Sequence, residues 1–108
     1  MGRLSDNFVV NPSKLSAFIL SQRDQILKLA ERHGATNVRV FGSVARGEAT
    51  QDSDVDLLVT MKLGRTYFDF VALWLDLQEL LGRKVDVVSD KAISPYLRDE
   101  ILSEARPL

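Results

Sequence analysis

The stretch from Val38 to Thr60, VRVFGSVARGEATQDSDVDLLVT, constrains this chain more than any other. It calls for a strand, a Gly-Ser turn, a polar loop, and a second strand that opens on an acid-x-acid pair. A strand sends alternate side chains to one face, so Asp54 and Asp56 point the same way with their carboxylates close together. Two like charges side by side repel, and a divalent cation between them removes that cost. Oxygen-only donors suit magnesium or manganese rather than zinc. Upstream, Gly42 lacks a Cβ and lets backbone N–H groups approach a phosphate, while Ser43 adds a hydroxyl donor and Arg46 a forked cation. The residues after Ser43 are expected to begin a short helix, its N-terminus aimed at an anion. The stretch reads as a phosphate-and-metal site.

Rival motifs share pieces of it. Gly42 and Gly47 have the spacing of a P-loop, but Glu48 and Ala49 stand where Lys and Ser or Thr are required. Asp52, Asp54 and Asp56 imitate the start of a calcium loop, yet Leu57 takes the place of the turn glycine and Leu63 that of the bidentate Glu. For a lone D-x-D, an acidic turn running into an ordinary strand is the plainer explanation. The conjunction with Gly-Ser argues against it.

Gly42-Ser43, ten intervening residues and Asp54-Val55-Asp56 together resemble the DNA polymerase beta-type nucleotidyltransferase superfamily, whose mark also includes a third acid on a later strand. The GSVARG and SDVDLLV segments are similar in particular to the minimal nucleotidyltransferase (MNT) antitoxins, which act beside toxins carrying a HEPN domain. The resemblance covers nearly the whole chain, down to SPYLRDEILSEARPL. It implies attack at the α-phosphorus of ATP and transfer of AMP to a hydroxyl, a tyrosine of the HEPN toxin, which is thereby silenced. Asp54 and Asp56 would ligate the metals, two Mg2+ ions with Mn2+ as a substitute.

The rest of the chain supplies a frame. Residues 1–11 carry no clear period and read as a loosely docked arm. Pro12 and Ser13 start a scaffold helix with Leu15, Phe18, Ile19, Ile26, Leu29 and Ala30 on one face and Gly34 as its stop. His33, in that turn, reads as a solvated helix-end residue. Val38, Val40 and Phe41 form a short strand, Gly47 to Ser53 a loop, and Val55, Leu57 and Val59 the core face of the next strand. After a turn at Lys62 to Arg65, Tyr67 to Leu81 reads as a helix whose polar stripe, Asp69, Asp76 and Glu79, is narrow. Part of its wide apolar surface is a candidate partner interface, and cover by the other helices is an equal alternative.

Lys84 to Ser89 reads as a third strand, with Asp86 among valines. A carboxylate there is depleted unless something pairs with it. If this strand neighbours the one carrying Asp54 and Asp56, Asp86 completes an acidic triad that holds metal or accepts a proton. The competing explanation is an ion pair with Lys84 or Arg83. Ser94 and Pro95 open a last surface helix through about Ser103, on which Tyr96 and Arg98 are better explained by packing or solvation than by a nucleotide. The expected architecture is α/β, a small mixed sheet packed with helices in the order α-β-α-β-α-β-α. By resemblance it is the polymerase beta-like nucleotidyltransferase fold.

With 108 residues the chain is expected to be one domain, and a nucleotide pocket leaves no room for a second domain to recognise an acceptor. The acceptor is then expected on another chain, a protein partner. Fourteen Lys and Arg against 15 Asp and Glu give a net charge of -1, which argues against bulk nucleic-acid binding. The chain has no cysteine and one histidine, so thiolate and histidine-based zinc centres drop out. No apolar run has membrane-spanning length, and a cytoplasmic location is expected. Two other classes stay open: a nucleotidyltransferase for a small hydroxyl compound such as an aminoglycoside, and a non-catalytic antitoxin that works by binding.

Overall fold

The computed structural model describes residues 14–108; the arm expected at 1–11 and the helix start at Pro12 and Ser13 lie outside them. Helices α1 (Lys14–Ser21) and α2 (Arg23–Arg32) lead into β1 (Ala35–Phe41), a short α3 (Gly42–Arg46) and β2 (Val55–Met61). Then come α4 (Tyr67–Leu81), β3 (Val85–Ser89), a single 3-10 turn at Asp90–Ala92, α5 (Pro95–Glu104) and a two-residue β4 (Arg106–Pro107). The sheet order is β3-β2-β1-β4, with β1 antiparallel to β2 and β4 and β2 parallel to β3. The α/β class and the mixed sheet are as expected from the sequence.

The single scaffold helix is in fact two. The Ser21 hydroxyl donates to Phe18 O at 2.5 Å, and Gln22 N is shared between Phe18 O and Ile19 O. A serine that bonds back into the preceding turn competes with the helix ladder and bends it. Leu15, Ile19, Ile26 and Ala30 remain in the core across the break, whereas Phe18, expected on that face, is exposed.

β1 is longer than its hydrophobic pattern suggests. Ala35, Val38 and Val40 are buried, an odd spacing for a strand, because the register against β2 slips between Thr36 and Arg39. Asn37 lies at φ 52 within the slip, a left-handed conformation that Asn tolerates better than most residues. β4, which the sequence does not announce, pairs with the other edge of β1, and Leu108 beyond it is buried with its N–H on Val38 O at 3.0 Å.

α4 begins and ends where its residues say. Thr66 and Asp69 form a reciprocal capping box and Gly82 takes the left-handed C-cap position. Leu73, Leu77 and Leu81, one turn apart, are buried under it. Trp74 Nε1 donates to Val85 O at 2.7 Å, and Gln78 Oε1 accepts from Val85 N at 3.2 Å. Two successive turns of α4 thus satisfy the backbone at the start of the edge strand β3, which would otherwise be open to pairing. The helix is not covered all round: Tyr67, Phe68 and Leu75 are exposed. His33 is not solvated; its Nε2 lies 2.7 Å from Asp76 Oδ2 and its side chain is only 16% exposed, tying the end of α2 to α4. Among the described residues, no helix is long and apolar enough to cross a membrane.

Candidate active site

The topology brings the separate pieces of sequence to one end of three neighbouring strands. β1 runs up to Gly42-Ser43 and β2 starts beside it in the opposite direction, so Phe41 pairs with Asp56. β3 runs parallel to β2, and Asp56 pairs with Asp86. In a parallel ladder, residues in register send their side chains to the same face, which sets these two carboxylates side by side.

The electrostatics follow from this packing. Asp56 is pushed up from 3.8 to about 6, first by burial, then by the charges of Asp86 and Asp54, with Arg46 pulling the other way. Gly42 is part of the cause. It sits at φ 70, and a Cβ built on it would run into Asp56 Oδ2. Only glycine leaves room for that carboxylate against the turn.

Asp54 is placed differently. Its Oδ2 lies 3.6 Å from Lys84 Nζ, in a partly exposed ion pair. Lys84 therefore serves Asp54, not Asp86, and Arg83 donates to the carbonyls of Gln51 and Ser53 at 3.0 and 3.4 Å. Neither takes the ion-pair partner role that the sequence offered as the plain account of Asp86. Among the described residues, no three His, Cys, Asp or Glu side chains stand gathered as a ready-made metal cage. The donor chemistry nonetheless fits a hard divalent cation. Asp56 and Asp86 are adjacent oxygen donors whose mutual repulsion a cation would relieve, and Asp54 would join them only by giving up its exposed pair with Lys84, one of low value.

On the phosphate side, the donors of Gly42 and Arg46 are already engaged. Gly42 N–H donates to Glu104 Oε1 at 3.1 Å, and Arg46 donates from one terminal nitrogen to Glu104 Oε2 at 2.8 Å and from Nε to Glu48 at 3.0 Å. Glu104 is the last residue of α5. It lies 62 residues from Gly42, and no local pattern links them. The Ser43 side chain is half-buried on the first turn of α3. Tyr96 is 96% exposed, and Arg98 donates to Asp90 O at 3.3 Å.

Asp56 and Asp86 open into a cleft of about 470 Å³ whose other walls are apolar: Phe41, Phe70, Trp74, Val87 and Val88, with Leu97 and Ile101 from α5. A second cavity of similar volume adjoins it beyond Phe70, Val87 and Val88, between Met61, Tyr67 and Ala92, and holds no carboxylate. An acidic pair at the floor of an apolar cleft, next to a glycine turn with anion-binding donors, suits phosphoryl chemistry on a ligand with an apolar part.

Comparison with known proteins agrees with this geometry. Residues 23–108 match the Nucleotidyltransferase domain family. The protein adenylyltransferase MntA of Thermococcus cleftensis is 39% identical over 77 residues, covering 71% of this chain and 78% of its own length. A solved structure assigned as a minimal nucleotidyltransferase is 52% identical with a TM-score of 0.78, over 86% of this chain and 95% of that one. A mutant of an MntA toxin–antitoxin complex is 25% identical with a TM-score of 0.66, over 80% of this chain and 70% of that one.

Proposed function

This chain belongs to the Nucleotidyltransferase domain family, and from that premise we propose that it transfers AMP from ATP to a hydroxyl of a partner protein, acting as the antitoxin of a toxin–antitoxin pair. The partner is a HEPN-domain toxin and the acceptor a tyrosine. The observation that carries the reading is the Asp56–Asp86 pair in register beside Gly42, at the floor of an apolar cleft. The likeness to a protein adenylyltransferase and to a chain of a toxin–antitoxin complex supports it.

In this mechanism Gly42 N–H, Ser43 and Arg46 hold the β and γ phosphates. Asp54, Asp56 and Asp86 would hold Mg2+, with Mn2+ as a substitute, and the metal would supply positive charge where negative charge develops on the phosphoryl oxygens. The acceptor oxygen forms a bond to the α-phosphorus as the bond to the bridging oxygen breaks, and pyrophosphate leaves. Asp86, the more exposed carboxylate of the pair, takes the acceptor's proton. The apolar walls of the cleft exclude water, which would otherwise compete as acceptor.

The exposed Tyr67, Phe68 and Leu75 on α4 supply a surface for the partner. Label transfer from ATP marked at the α-phosphate tests the reading. Asp54→Asn combined with Asp56→Asn keeps the fold and abolishes transfer; transfer that persists removes the metal assignment. A mass shift on an aminoglycoside in place of a protein selects the small-molecule class.

A further inference from the structure

We propose that Glu104 is a resident anion in the phosphate turn, and that a triphosphate must displace it to bind. The proposal rests on the reading of Gly42 and Arg46 as phosphate ligands. Both oxygens of the carboxylate are engaged, Oε1 by Gly42 N–H at 3.1 Å and Oε2 by Arg46 at 2.8 Å. The group bridges a backbone donor and a guanidinium, as a phosphate would. Each bond is charge-assisted, so any ligand that needs these donors binds more weakly by the cost of breaking them.

The surroundings let Glu104 leave without opening the core. Its side chain is 23% exposed, and no side chain of α5 is buried. Directly after it the chain is pinned, with β4 paired to β1 and Arg23 Nε donating to Leu108 O at 2.9 Å. Release of the carboxylate therefore frees the end of an outer helix and leaves its anchor in place. The same helix carries Leu97 and Ile101, which wall the cleft above Asp56 and Asp86. A ligand that displaces Glu104 thus acts on one wall of the site where the chemistry occurs. The penalty falls on ligands with β and γ phosphates and spares a monophosphate, which does not reach the turn.

Calorimetric titration of ATP and AMP into wild type, Glu104→Gln, Glu104→Ala and Glu100→Gln tests this. Glu104→Gln keeps the side-chain size and loses the charge. Both Glu104 variants are expected to bind ATP about tenfold more tightly, with AMP affinity unchanged. Glu100→Gln, a charge removed from the same helix, is expected to leave ATP binding within about twofold. The Gly42 amide resonance of free Glu104→Gln should also move away from its wild-type position. ATP binding that is unchanged or weaker in both Glu104 variants overturns the proposal and makes Glu104 a brace for Arg46. Equal tightening toward AMP, or in Glu100→Gln, also overturns it and points to general charge. If folded wild type and both Glu104 variants all fail to bind ATP with magnesium, the phosphate reading itself falls and takes this proposal with it.

Discussion

Asp56 and Asp86 stand opposite each other across the parallel β2–β3 pair, and the first is half-buried against the Cα of Gly42. The arrangement is costly when both carboxylates are ionised. That cost makes the pair a place for a proton or a cation.

Asp56 rises from 3.8 to about 6 in the folded chain, so the folded state holds its proton more tightly than the unfolded state does. The contribution of Asp56 to stability then falls as pH rises from about 4 to about 6, and is flat above. The difference in melting temperature between Asp56→Asn and wild type should therefore grow in the variant's favour across that window. A difference that does not change with pH contradicts the burial and repulsion assigned to Asp56.

Asp86 is expected to matter for transfer more than for binding. Asp86→Asn should lower the rate of AMP transfer by about 10²- to 10⁴-fold, the usual range for a lost general base. Its ATP affinity should fall far less. Rapid-quench and equilibrium measurements separate the two, and equal losses in both would reassign Asp86 to nucleotide or metal binding alone.

Gly42→Ala meets two obstacles, the positive φ and the Asp56 carboxylate. The left-handed conformation alone costs roughly 1–2 kcal/mol for a residue with a Cβ. Denaturant unfolding should show at least that loss. A variant as stable as wild type would mean that the turn relaxes and Asp56 is free to move.

His33 and Asp76 close the gap between α2 and α4 at 2.7 Å. A double-mutant cycle of His33→Ala and Asp76→Ala is expected to give a coupling of about 0.5–1.5 kcal/mol. Additive effects would show that the contact contributes no stability.

The parts of the fold written in local chemistry could be read from the sequence. The α4 boundaries are set by Thr66, Asp69 and Gly82 within the helix's own ends. The Ser94 cap, whose side chain accepts from Tyr96 N, likewise marks the start of α5. What escaped depends on a choice between local bonds at Ser21 and on tertiary partners elsewhere. The break after Ser21 is a competition for one carbonyl, β4 exists only because β1 offers a free edge, and the slip at Asn37 disguised the alternation of Ala35 and Val38. At the site, Asp86 meets Asp56 because β3 lies beside β2, and sequence does not say which strands are neighbours. The Glu104 contact and the Lys84–Asp54 pair could not be foreseen from spacing at all.

The most direct test of the central claim is intact-protein mass spectrometry of a HEPN-domain partner after incubation with this chain, magnesium and ATP. The proposed function predicts one or more added AMP units on a partner tyrosine, absent when Asp54 and Asp56 are both changed to Asn. A partner that is bound tightly and neutralised with no added mass would contradict it, and would leave contact through the exposed face of α4 as the means of neutralisation.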